Sequence, residues 1–551
     1  MKANRLAVAL ASLLLCSAPA FAAPPSSAGN SSSADSGNSS QSENLIQRLM
    51  KPMSSTTHGS VTVEGKTINY EAVAGTLVIN GTGNDETTPQ VAMSYFAYFM
   101  QGADPSKRPI TFIYNGGPGS STMWLHMGAW GPKRVVTNDH THTPAAPYKL
   151  VNNDYSLLDA SDLVFIDMPG TGFGRLLPQG KDAGARTKDH QALAKKIWGV
   201  DGDAHAFSRF ITQFLSKHGR WNSPKYLFGE SYGTTRSAVL AGILETQDNI
   251  DLNGVILLSQ ILNFNTSIDG PGMDPGIDLP YILALPTYAA TAWYHHKLPK
   301  YDGDKLGQLL KDSIAFAKGE YRDALYAGTT LSPTKEREVA EKLHDLTGLP
   351  VSYLMRADLR VDGGMFEHEL QINTDTATGR LDTRFSGPQM DPMAKQSYYD
   401  PQSAAISSAY VSAFNNYVRK DLKFGQDMKY RPSAYGAAGF DWNMKHRAPG
   451  SRWEQSGSLN VMTDLAAAMK YNPNLKVMVN GGFYDLATPF YAAIYEDEHL
   501  QIPARLTKNI TYAFYPSGHM VYAHIPSLHQ LHDNVVKFIE SSDNQGEQDN
   551  K

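Results

Sequence analysis

Short continuous runs of apolar, β-branched or aromatic residues alternate along the chain with stretches whose apolar positions recur at helical spacing. The runs predict strands over 91–100, 110–114, 163–166, 225–228, 255–258, 476–479 and 510–515. Most are apolar at every position, the pattern of strands covered on both faces of a sheet. Helical spacing falls over 190–218, 232–247, 489–499 and 527–540. Strand and helix in repeated alternation predict a mainly parallel sheet with crossover helices on both faces. Between 258 and 476 that rhythm stops, and only helical patterns stand out, at 301–316, 333–346 and 401–420. Residues 264–445 are therefore expected to be an inserted, mostly helical lid region, with the core divided into 46–263 and 446–540.

Both ends of the chain break the pattern. Residues 1–22 read as a secretory leader: Lys2 and Arg5, an apolar run from Leu6 to Leu15, then Ala20-Phe21-Ala22 as a small-x-small cleavage site. A run of that length is too short to span a bilayer. Residues 23–45 are rich in Ser, Gly and Pro and are expected to form a tether, and 541–551 a polar tail. No other stretch is long and apolar enough to be expected to insert stably in a membrane.

Composition narrows the classes. In 551 residues, 41% hydrophobic and 19% charged, there is enough apolar material for a large core, which excludes a disordered chain or a coiled coil. Lys and Arg number 49 against 54 Asp and Glu, so no basic field is present to hold nucleic acid. The only cysteine, Cys16, belongs to the leader. Disulfides, cysteine-held zinc and a cysteine nucleophile are excluded from the mature chain. A leader followed by a cysteine-free mature chain points to export, with a bacterial periplasm as the expected destination.

Candidate chemistry gathers at predicted strand ends. Gly229-Glu230-Ser231-Tyr232-Gly233 follows the strand at 225–228 and precedes a helix, the placement of a G-x-S-x-G elbow that thrusts a serine hydroxyl out at a sheet edge. The pattern alone is weak; its placement gives it weight. A serine hydroxyl needs a base, and the base an orienting carboxylate. Asp485 follows the strand at 476–479 in Asn480-Gly481-Gly482-Phe483-Tyr484-Asp485, and His519 follows the strand at 510–515 in Pro516-Ser517-Gly518-His519. The blander alternatives are a loop histidine and a carboxylate capping a helix. A fourth segment, Asn115-Gly116-Gly117-Pro118-Gly119-Ser120-Ser121, follows the strand at 110–114. Its glycines could present backbone N–H groups to an oxyanion, which assigns Gly117 and Tyr232 as donors. The glycines of 169–174 lack a P-loop lysine, and the histidine clusters at 140–142, 295–296 and 367–369 lack metal-ligand spacing. Tight turns and exposed histidines are expected there instead.

Taken in order, the glycine loop with Gly131-Pro132 after it, the elbow, Asp485 in its glycine-led turn and Gly518-His519-Met520-Val521 resemble the serine carboxypeptidases of the α/β-hydrolase superfamily. The resemblance implies removal of C-terminal residues from peptides through an acyl-enzyme, best at acidic pH, with no metal or organic cofactor. It implies Ser231 as nucleophile, His519 as base and Asp485 as its orienter. It also implies that Asn115, the Gly116 backbone and Glu230 receive the substrate's terminal carboxylate. A protonated Glu230 could donate to that carboxylate, where an ionised one would repel it. The chain departs from the family pattern at Ala129, where many members carry a second glutamate, at Ser120, where they carry a cysteine, and in having no disulfides. Ala129 leaves half of an acid pair, so a milder acidic preference is expected. A serine esterase or acyltransferase on the same fold, and a non-catalytic periplasmic binding protein with a relic triad, remain the alternative readings. Neither the preferred terminal residues nor the oligomeric state is legible in the sequence.

Overall fold

A computed structural model describes residues 44–82 and 85–544. The leader, Cys16, nearly all of the tether and the last residues of the tail lie outside them.

The main sheet is built from β1 (Ser54–Val63), β2 (Lys66–Asn80), β3 (Pro89–Met100), β4 (Ile110–Tyr114), β5 (Asp162–Ile166), β6 (Lys225–Glu230), β7 (Gly254–Leu258), β8 (Lys476–Gly482) and β9 (Ile510–Tyr515). Its order is β1-β2-β3-β5-β4-β6-β7-β8-β9, and Arg175–Leu176 adds a short pairing to β3. From β5 through β4 to β9 every pairing is parallel, while β1, β2 and β3 join antiparallel at one edge. β1 and β2 form a hairpin closed by Glu64 and Gly65, both at positive φ (46° and 80°), the two-residue turn whose twist matches its strands.

Alternate side chains of the central strands feed two separate cores, one on each face. Phe112, Tyr114, Val164, Ile166, Val255 and Leu257 pack on one side with α2 (Val200–His218) and α3 (Tyr232–Thr246). Ile113, Leu163, Phe165, Ile256 and Leu258 pack on the other with α7 (Pro401–Lys420) and α10 (Ile525–Glu540). This is why the strands read as unbroken apolar runs: both faces are covered.

Two sequence expectations need correction. The helix expected over 190–218 is two, α1 (Ala183–Ile197) and α2, broken at Trp198 and Gly199, where Trp198 O accepts from Asn443 N and Val200 N donates to Asn443 O. And β1 and β2 were not among the expected strands. Between β7 and β8 the chain makes a long excursion through α4 (Leu279–Tyr294), α5 (Leu306–Phe316), α6 (Pro333–Thr347) and α7 before α8 (Met462–Tyr471) returns it to the sheet. Tyr281, Leu285, Leu343 and Phe366 of the excursion share a core of their own, which Leu486 joins from the loop after β8. A helix α9 (Phe490–Glu498) then links β8 to β9.

Candidate active site

All four sequence-predicted segments emerge at the carboxyl ends of strands, from β4, β6, β8 and β9. Ser231 is the single residue between β6 and α3, and its backbone lies at φ 61°, ψ −129°. A non-glycine residue persists there only where its surroundings fix it, at a cost of about 1–3 kcal/mol. They do so here: the Ser231 N–H donates to Leu258 O at 2.9 Å, and its carbonyl accepts from the N–H and hydroxyl of Thr234 at 2.8 and 2.7 Å.

The glycine loop lies directly against this elbow. A Cβ on Gly116 would come within 2.4 Å of Tyr232 N and 2.7 Å of Glu230 O, so no side chain fits there. Tyr232 N opens α3 and has no partner within the helix, as the first amides of any helix must. Gly117 follows at φ 112°. Arg236 of α3, fully buried, pins the loop by donating from Nη1 to Asn115 O at 2.8 Å and from Nε to Asp203 at 2.5 Å.

Asp485 and His519 are both buried, with Oδ2 and Nδ1 at 2.8 Å. Thr488 secures the carboxylate, its N–H on Oδ1 at 3.0 Å and its hydroxyl on Oδ2 at 2.7 Å. Burial by itself lowers the His519 pKa, but the charge and hydrogen bond of Asp485, helped by Glu230, outweigh it and hold the imidazole above its usual value. Leu258 and Ser259 join the two halves of the site: Leu258 O holds the Ser231 amide, and the Ser259 hydroxyl donates to His519 O at 2.8 Å.

Glu230 is 3% exposed, and its Oε2 accepts from Asn115 Nδ2 at 2.7 Å and from the Tyr522 hydroxyl at 2.9 Å. Burial pushes it up to about 7, against the opposing pull of His519, Tyr522 and Asn115. A rise from 4.5 to about 7 separates its two protonation states by about 3 kcal/mol. At pH 6 the neutral acid therefore predominates. Ala129 is fully buried, and at its neighbour Gly128 an added Cβ would meet the Tyr410 hydroxyl at 2.5 Å and the Tyr522 ring at 2.6 Å. Two tyrosines, one from α7 and one from the histidine loop, thus crowd the turn that carries Ala129. Sequence reasoning missed Tyr522, Thr488 and Ser259. Tyr522 and Thr488 lie three residues beyond His519 and Asp485, but only the fold shows where their hydroxyls point.

The histidine clusters are not simply exposed. Glu367 and His368 are buried, and His295 Nε2 meets Thr383 O at 2.6 Å. Among the described residues, Glu64, His532 and Asp533 bring three ligand atoms within 4.8 Å of one another, on the β1–β2 turn and α10. Neither element carries a site residue.

The family model for serine carboxypeptidases matches residues 79–300. A carboxypeptidase Y homolog of Arthroderma benhamiae is 28% identical over 208 residues, 37% of this chain and 35% of that one. The pheromone-processing carboxypeptidase KEX1 of Phytophthora infestans is 23% identical over 271 residues, 46% of this chain and 36% of its own. The chain thus spans about a third of the length of these curated relatives. Among solved structures, proline iminopeptidase of Mycobacterium smegmatis aligns over 88% of this chain and 99% of its own at 12% identity, with a TM-score of 0.32 too low to weigh. No helix among the described residues is long and apolar enough to cross a membrane. The glycine loop and the serine elbow both lie within residues 79–300, the span that the serine carboxypeptidase family model matches, at the ends of adjacent parallel strands.

Proposed function

We propose that this protein is an exported serine carboxypeptidase that removes C-terminal residues from peptides. The observation that carries the reading is the pairing of Asp485 with His519 Nδ1, linked through Leu258 and Ser259 to a serine held in a strained elbow, with a buried, proton-holding Glu230 next to that serine in the chain. Asp485 occupies Nδ1, which leaves Nε2 to take the Ser231 proton as Oγ bonds to the last peptide carbonyl carbon. The oxyanion that forms is held by the N–H groups of Tyr232 and Gly117. As the C–N bond breaks, His519 returns the proton to the departing amine. Water then repeats the sequence, its proton passing through His519 to Ser231 as the acyl group leaves.

Glu230, neutral below about 7 and supported by Asn115, donates to the substrate's terminal carboxylate, while the Gly116 backbone packs beside it. Two pH limits follow. Binding weakens as pH rises through about 7, where Glu230 ionises and repels the carboxylate. Turnover weakens as pH falls, because the raised pKa of His519 keeps it protonated and unable to act as base. The leader-like residues 1–22 and the cysteine-free remainder support export to a bacterial periplasm, and N-terminal sequencing of the mature protein should begin at Ala23.

A blocked dipeptide and a simple aryl ester test the reaction class. Release of the free amino acid, lost in Ser231→Ala, is expected. Ester cleavage with an untouched dipeptide would transfer the reading to an esterase or acyltransferase.

A further inference from the structure

One short piece of the excursion touches both loops that carry the acid and the base. Leu381 O accepts the His519 N–H at 2.6 Å, and Asp382 Oδ2 accepts the Gly518 N–H at 3.2 Å. On the acid loop, Thr383 N donates to Tyr484 O at 2.9 Å and Leu486 N donates to Arg380 O at 3.1 Å, so the residues on either side of Asp485 are held. The fit leaves no slack: a Cβ on Gly518 would lie 2.4–2.5 Å from Asp382.

The piece is itself anchored. Asp400 caps the start of α7 through Ser403 N at 2.7 Å, and its other oxygen takes the amides of Arg380 and Leu381 at 2.8 and 3.1 Å. Asp382 is fully buried, and Arg384, 3% exposed at its side chain, forks onto it at 2.6–3.2 Å while reaching Asp139 at 3.0 Å. Buried ion pairs seldom add net stability, because desolvation offsets their attraction. What this pair supplies is a fixed place for one oxygen beneath the histidine turn.

We propose that residues 380–384 brace the Asp485–His519 pair, with Asp382 as the positioning residue that sets the Gly518-His519 turn. The excursion then completes the base side of the triad. The inference rests on Ser231, His519 and Asp485 acting as proposed above.

The experiment is active-site titration with a fluorophosphonate, read as two numbers: the fraction of protein that labels and the labelling rate per site. Turnover of the blocked dipeptide is measured alongside. For Asp382→Ala the expected result is an undiminished labelled fraction and a rate per site about 10²-fold lower, the usual scale for a misplaced catalytic group. kcat should fall by the same factor with KM within about threefold of wild type. Asp382→Asn, which keeps an oxygen facing Gly518, should recover at least about tenfold of the rate. A rate per site unchanged in Asp382→Ala overturns the proposal. So does a loss that lies wholly in the labelled fraction, which marks a merely structural role. Should Asp382→Ala fail to fold, Arg384→Lys decides: a slower rate at full labelled fraction supports the brace, and an unchanged rate overturns it. Wild type that does not label at all sinks the triad reading itself, a different failure.

Discussion

The proposed nucleophile side of the site and its proposed base side lean on the rest of the chain to different degrees. Ser231, Tyr232 and the glycine loop come from two adjacent strands, β4 and β6, and a Cβ on Gly116 would strike Tyr232 N directly. The excursion reaches this side too, but only at the far end of the glycine loop, where Ser121 N donates to Pro432 O at 2.9 Å and Ala434 N to Gly119 O at 2.8 Å. Asp485 and His519 also leave neighbouring strands, β8 and β9, but at the edge of the sheet, and their loops lean on residues 380–384. The family model covers the first side and ends at residue 300, before either residue of the second.

This contrast can be broken or sharpened by substitution. The largest effect is expected on the nucleophile side: Ser231→Ala should lower kcat for the blocked dipeptide by at least about 10³-fold, leaving only binding and oxyanion stabilisation. Asp485→Asn should cost about 10²- to 10⁴-fold in kcat with little change in KM, because an amide on Nδ1 no longer favours the right tautomer or stabilises the imidazolium. If it instead matched wild type, the base side would not depend on this carboxylate.

Glu230→Gln keeps a donor but cannot ionise. Its KM should stay within a few-fold of wild type at low pH and should no longer climb between pH 6 and 8. A wild-type-like climb in the variant would remove Glu230 from the pH limit. The smallest effect belongs to Tyr522→Phe. The Tyr522 hydroxyl stabilises the ionised form of Glu230, so its removal should move the alkaline limit of kcat/KM upward, with kcat within a few-fold of wild type. A downward move would contradict the assigned donor.

Much of the fold was legible because burial on both faces writes itself as continuous apolar runs, and the strands expected at 110–114, 225–228 and 510–515 are β4, β6 and β9. β1 was not, since Ser54–Val63 is mostly Ser and Thr with an alternating, half-exposed edge pattern. The break between α1 and α2 was hidden too, because the cause is a backbone pairing with Asn443, far away in sequence. Within the site, Ser231, Asp485 and His519 stood out through glycines and strand ends. The supports for Glu230 and for the histidine turn, Tyr522 and Asp382, did not. Their roles lie in contacts across 292 and 136 residues, which no local spacing encodes.

The most direct test is intact-mass and peptide-map analysis of the purified protein after treatment with a fluorophosphonate. One adduct per chain is expected, on Ser231, formed at a rate that falls in Asp485→Asn and absent in Ser231→Ala. An unlabelled wild-type protein, or an adduct on another residue, would contradict the serine–histidine–aspartate mechanism.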